Sequence, residues 1–196
     1  MQKKPQIISA TRSILQRQGE YHAANFLVSI LFANIQDKAG APYYGHLARV
    51  AAGVPDHVKP AALMHDLVED IPGWSFDDLK TIGFSDRTIA AVRAVTKDEA
   101  NDEKYFDAME RVGRNADAVY IKRSDLKDNA NLFRLNRLPL QKDFNRVAKY
   151  FLADKYLADI QGHKTAPGTS FHEWMQSKPA DLQNQALLKK ESSPKF

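Results

Sequence analysis

Cysteine is absent from this chain. Disulfides and thiolate ligands are thereby excluded, so a bound metal would have to be held by imidazole and carboxylate. Long hydrophobic runs are scarce as well. The longest, NFLVSILFANI from residue 25, is about half the ~20 residues that a membrane span needs and reads as a core helix. The opening MQKKPQIISATRSILQRQGE has no continuous apolar stretch like that of a signal peptide, so the expected address is cytoplasmic, with no membrane partner. Strict polar–apolar alternation is missing throughout, as are internal repeats and low-complexity segments, and the expected fold class is all-α. Charge imbalance is small too. A net charge of +4 suits an anionic small ligand but is too weak to argue for nucleic acid, and no basic-aromatic stripe is visible.

What is present is an ordinary globular composition. Hydrophobic residues make up 43% of the 196 and charged residues 27%, enough for one well-buried core. The ends, MQKK and KKESSPKF, read as fraying. Helical segments are expected at 22–36, at 46–53, and from Pro55 to the Pro72-Gly73 stop. SFDDLKTIG carries a capping pattern at Ser75 and Asp78 with a closing Gly83, and Ser85 caps the next helix. After the polar joint KDEANDE come YFDAMERVGR, a long helix NADAVYIKRSDLKDNANLFRL, and another opened by Pro139 that runs to about Ile160. The expected organisation is a domain over 1–160. A linker, QGHKTAPGTS, and short accessory helices FHEWMQS and ADLQNQALLKK fill 161–196.

The stretch MHDLVED, residues 64–70, is the informative one. On a continuous helix, His65, Asp66, Glu69 and Asp70 share one face among Ala61, Ala62, Leu63, Leu67 and Val68. Three carboxylates on a half-buried face repel one another and are costly to desolvate unless a cation lies among them. His and Asp are suitable ligands for a divalent ion held by nitrogen and oxygen. Two other positions are candidates to complete the shell: His46, directly after PYYG, and Asp125 within IKRSDLKDN, with Asp128 and Asn129 one turn on. Two His and two Asp around an octahedral ion leave about two positions for water or a phosphate oxygen. Tyr43 and Tyr44 are candidates to stack on a base.

The order His46, then His65-Asp66, then Asp125 resembles the H…HD…D signature of the HD superfamily of metal-dependent phosphohydrolases. Within it, the likeness is to the hydrolase domain of RelA/SpoT-type (p)ppGpp enzymes and their small stand-alone relatives, including the metazoan SpoT homologue. DKAGAPYYGH at 37–46 resembles that family's GEPYI-x-HP segment, AALMHDLVED at 61–70 its ALLHDVIED block, and IKRSDLKDN at 121–129 its VKLADRLHN block. The likeness spans about residues 22–160. It implies an HD-domain helical bundle in which His46, His65, Asp66 and Asp125 hold one metal, usually Mn²⁺. It further implies that Glu69 and Asp70 handle water activation and proton transfer, and that Lys38, Lys122 and Asn129 lie near phosphate and nucleoside. Glu69, one turn from His65, is the expected general acid/base, and Asp70 the supporting carboxylate.

Three positions depart from the pattern: Asp37 where the family's long-form enzymes usually have Arg, Leu47 where it has Pro, and Asp128 in its HN dipeptide. The implied function is a metal-dependent phosphohydrolase of a phosphorylated nucleotide, removing 3′-pyrophosphate from (p)ppGpp-like alarmones. A nucleotide phosphatase or phosphodiesterase of other specificity, or a nucleotide sensor with little turnover, stays open, as does a homo-oligomer.

Overall fold

The computed structural model describes residues 3–37, 39–97 and 102–179, and among these there is no β-strand, only an isolated bridge between Gln36 and Pro42. The expected all-α class is what is observed. Helix α1 (Lys4–Gln18) opens the described chain. Fraying was expected through MQKK, yet Lys4 is the first residue of this helix. Its ammonium pairs with Asp78 at 2.7 Å and lies 5.2 Å from the centroid of the buried Trp74 ring.

Helix α2 (Glu20–Leu31) stops five residues short of the expected end, and an irregular stretch leads into α3 (Tyr43–Ala52). The queried segment is not one helix. A 3-10 turn at Asp56–Val58 leads into α4 (Lys59–Leu63); Met64 and Asp66 then take ψ near zero, and α5 (Leu67–Asp70) restarts the coil. The break falls on the His-Asp pair itself, which corrects the reading of 65, 66, 69 and 70 as a single helical face.

Helices α6 (Phe76–Ile82) and α7 (Asp86–Val95) begin where their serines predict. Ser75 and Ser85 accept from the backbone N–H of Asp78 and Thr88. Beyond them lie α8 (Tyr105–Gly113), α9 (Ala116–Ala130), α10 (Gln141–Gln161) and α11 (Phe171–Gln176). The expected long helix through Leu135 ends at Ala130. Asn131 accepts from the N–H of Phe133 and turns the chain into a 3-10 turn, Leu132–Arg134. The segment ADLQNQALLKK, most of the joint KDEANDE and Lys38 lie outside the described residues.

Two apolar cores share α9. The first joins α1 to α7 around fully buried Leu27, Val28, Leu47 and Leu67, each worth roughly 1.5–3 kcal/mol of burial. The second joins α8, α10 and α11 around Tyr156, Leu157 and Trp174. Ile121 of α9 belongs to the first core, while Ala118, Val119 and Leu126 belong to the second. A helix buried on two sides carries its polar side chains inward only where they meet partners. Gly53, at the end of α3, lets that helix approach α9: a Cβ there would run into Ser124 Oγ, which donates to the Val50 carbonyl at 2.9 Å. This close crossing carries α3 and α9 past each other where His46 and Asp125 meet.

Candidate metal centre

Four of the expected residues converge where α3, the α4–α5 break and α9 meet. His46 Nε2 lies 3.4 Å from Asp125 Oδ1 and 3.6 Å from Asp66 Oδ2. His65 Nε2 lies 3.0 Å from Asp66 Oδ2 and 3.8 Å from Asp125 Oδ1. The two imidazole centroids are 5.2 Å apart, and both rings are about 3% exposed. The donor atoms of His46, His65 and Asp66 all fall within 4.8 Å of one another.

Each ligand candidate is also held by a further contact. His65 Nδ1–H donates to the Ala62 carbonyl at 2.7 Å, which leaves the lone pair on Nε2. That Nε2 is buried and has no hydrogen-bond partner. On a neutral ring that lone pair faces two carboxylates, which is costly, and either a proton or a cation between them would satisfy it. His46 Nδ1–H donates to Asp128 Oδ2 at 2.7 Å, the carboxylate–imidazole arrangement that orients a metal-binding ring. Asp66 Oδ2 accepts from the Tyr43 hydroxyl at 2.7 Å. Asp125 accepts from Lys122 Nζ at 2.7 Å and from the Asn129 amide. Two nitrogens, two carboxylates and an orphaned lone pair form a donor set that fits a divalent ion.

The electrostatics agree with this. Burial alone would lower the His46 pKa, but Asp125, Asp66 and Asp128 outweigh it and push it up to about 10. His65 is raised against its burial by Asp66 and Asp125. Burial opposes ionisation of Asp66 and Asp125, yet both are held below the usual carboxylate range, Asp66 chiefly by His65 and Asp125 chiefly by Lys122. Carboxylates that draw protons onto two buried imidazoles supply a field that a divalent cation would answer equally well.

The remaining expected residues divide. Tyr43, Lys122 and Asn129 line a cavity of about 250 Å³ that opens beside the His–Asp cluster. Tyr43 stacks on Phe32 at 5.3 Å, so its ring is packed and its hydroxyl faces the site. Glu69 points elsewhere: its carboxylate accepts from the Lys97 backbone N–H at 3.0 Å. Asp70 faces the Tyr43 hydroxyl, and partial burial together with the Asp66 charge raises its carboxyl above the usual range.

The other wall of the cavity holds residues that sequence reasoning missed, among them Arg134, Arg146 and Tyr150. Arg134 bridges Asp37 and Asp128, and Asp37 Oδ1 also accepts from the N–H groups of Ala39 and Ala41 at 2.9 and 3.0 Å. Asp37 is therefore a loop-shaping residue that steers an arginine into the cavity from the opposite side. Arg146 and Tyr150 are one turn apart, and that i, i+4 pairing on α10 was the only trace they left in the sequence.

No family model matches the chain, and no curated protein sequence is similar to it. Among solved structures, the fold is shared with a metazoan ortholog of SpoT, described as hydrolyzing ppGpp and playing a role in starvation responses. The two are 22% identical with a TM-score of 0.57, over 86% of this chain and 96% of that one.

Proposed function

We propose that the chain is a metal-dependent phosphohydrolase of a phosphorylated nucleotide, with His46, His65, Asp66 and Asp125 holding one divalent ion, Mn²⁺ by family resemblance. The observation that carries this is the buried, unpartnered His65 Nε2 facing Asp66 and Asp125 at the side of a cation-lined cavity. A divalent ion bound there would supply a water of lowered pKa and polarise a phosphoryl oxygen. The solved relative that hydrolyzes ppGpp supports an alarmone, with release of 3′-pyrophosphate, as the first substrate to try.

The chain's own residues divide the remaining work. Lys122 is kept protonated against its burial by Asp125, so it delivers a fixed positive charge to the cavity. Arg134 and Arg146 add guanidinium groups at the other wall, where they would bind phosphate oxygens and offset charge as it develops. Asp70 has the raised carboxyl and the position beside Tyr43 that suit proton transfer, and the reading moves that role from Glu69 to Asp70. Glu69 holds the chain after α7 through the Lys97 amide.

The test is release of phosphate or pyrophosphate from a panel of nucleotides, including ppGpp, with Mn²⁺ present or chelated. Release that stops on chelation and in His65→Ala supports the reading. Tight nucleotide binding without release from any member of the panel favours a sensor and contradicts it.

A further inference from the structure

Helix α10 has an apolar face that is exposed among the described residues. Of the six large apolar side chains exposed among the described residues, five lie between 133 and 151: Phe133, Leu138, Leu140, Phe144 and Phe151. Phe133 is 101% exposed and Leu138 86%. On α10 and its N-cap, Leu140, Phe144, half-buried Val147 and Phe151 follow a spacing of four, three and four. That is the a/d seam of a helix–helix interface rather than the wider stripe of a core-facing helix. At about 100° per residue this seam lies opposite Ala153, Leu157 and Ile160, which face the second core, so one helix is built to pack on both sides. The next seam position is Asp154, held by Arg123 at 2.8 Å, and the seam ends there after about three turns.

We propose that this face is a homodimer interface in which α10 packs antiparallel on α10 of a second copy. The pattern is self-complementary. With the two-fold axis near Val147 and Ala148, Phe144 of each copy meets Phe151 of the other, the reciprocity that an isologous contact requires. Ala148 beside the axis is small enough for close approach of the helices. Gln141 and Ala148 flank the seam on one side without charge, and Asp143 on the other is buried and paired with Arg137 and Arg146. Lys155 is the cation at its edge, folded over the Phe151 ring at 5.3 Å. Two nearby basic side chains are engaged within the fold rather than turned to an anionic lipid surface: Arg137 pairs with Asp143 at 2.7 Å, and Lys149 sits 4.2 Å over Tyr105 on the other side of the helix. Counted together with Phe133 and Leu138 beside the seam, the exposed apolar area is on the order of 600 Å² per copy, approaching the ~800 Å² per partner of a standard interface. The inference does not depend on the catalytic reading. It does bear on the cavity, because α10 also carries Arg146 and Tyr150, and a second copy would stiffen that wall.

The absence of cysteine makes the test direct. In the full-length protein, Ala148→Cys should form a disulfide-linked dimer under mild oxidation far faster than Lys80→Cys, an exposed control on α6. In sedimentation equilibrium, Phe144→Lys and Phe151→Glu should each weaken dimerisation at least ~30-fold, the fold-change that corresponds to a hot-spot loss of about 2 kcal/mol. Combined in one chain, the two substitutions place opposite charges face to face in the antiparallel pair and should restore association. Both positions are exposed, and unchanged circular dichroism confirms the fold. A chain that stays monomeric at every micromolar concentration, equal cross-linking at 148 and 80, or failure of the double variant to recover would each overturn the proposal.

Discussion

On the α3–α5 side of the cavity, each group with a role has its orientation fixed from within the fold. His65 is held by the Ala62 carbonyl, His46 by Asp128 and Asp66 by Tyr43, and both imidazoles are buried. On the α9–α10 side, Arg134, Arg146 and Tyr150 project from a connection that exposes Phe133 and a helix whose outer face exposes Phe144 and Phe151. The first wall has the character of a preformed ion site, in which geometry is paid for by folding. The second presents cations on longer, more adaptable stems, suited to grip a substrate that arrives from water. The comparison predicts that damage to the first wall abolishes chemistry, whereas damage to the second weakens binding.

The largest expected effect is at His65 and Asp66. Alanine at either should lower kcat/KM by roughly a thousandfold or more, the scale of losing several kcal/mol of metal-derived stabilisation, and should be checked by single-turnover product release. Asp70→Asn should lower kcat by about 10²–10⁴, and Glu69→Gln by much less, since Glu69 is engaged with Lys97. Equal losses in the two would erase the distinction drawn between them. Asp128→Asn removes the charge that orients His46 and should weaken metal affinity by about 10–100-fold, readable by calorimetry with no substrate present. Arg146→Ala should raise KM with a smaller change in kcat, the signature of binding shared by ground and transition states.

The smallest effect is on stability. Burial opposes ionisation of Asp37, but Arg134 and the amides of Ala39 and Ala41 hold its carboxyl below the usual range. A depressed folded-state pKa contributes stability that is present above the unfolded value near pH ~4 and is lost as pH falls through the folded value. Asp37→Asn should therefore flatten the fall in Tm below about pH 4 and leave the neutral-pH slope unchanged.

Legibility in the sequence followed the same division between walls. The helices bounded by Ser75, Ser85 and Gly83 were readable because caps are local chemistry. His65 and Asp66 were nameable because an apolar segment that carries clustered acids and an imidazole asks for a cation, and His46 and Asp125 because their surroundings resemble the HD pattern. The break at Met64–Asp66 was not readable: no Gly or Pro marks it, and tertiary packing of Met64 and Leu67 imposes it over a helical pattern. The choice of Glu69 over Asp70 rested on an unbroken turn from His65, which this break interrupts. Arg134 escaped notice because its partners, Asp37 and Asp128, are remote in sequence and the chain reverses at Asn131 to reach them.

The most direct measurement is calorimetric titration of Mn²⁺ into metal-stripped protein, wild type beside His65→Ala. The account predicts one equivalent bound by the wild type, with proton release as the two imidazoles surrender to the ion, and loss of that binding in a variant that keeps its helical spectrum. Undiminished binding in His65→Ala, or no binding by the wild type, would contradict it.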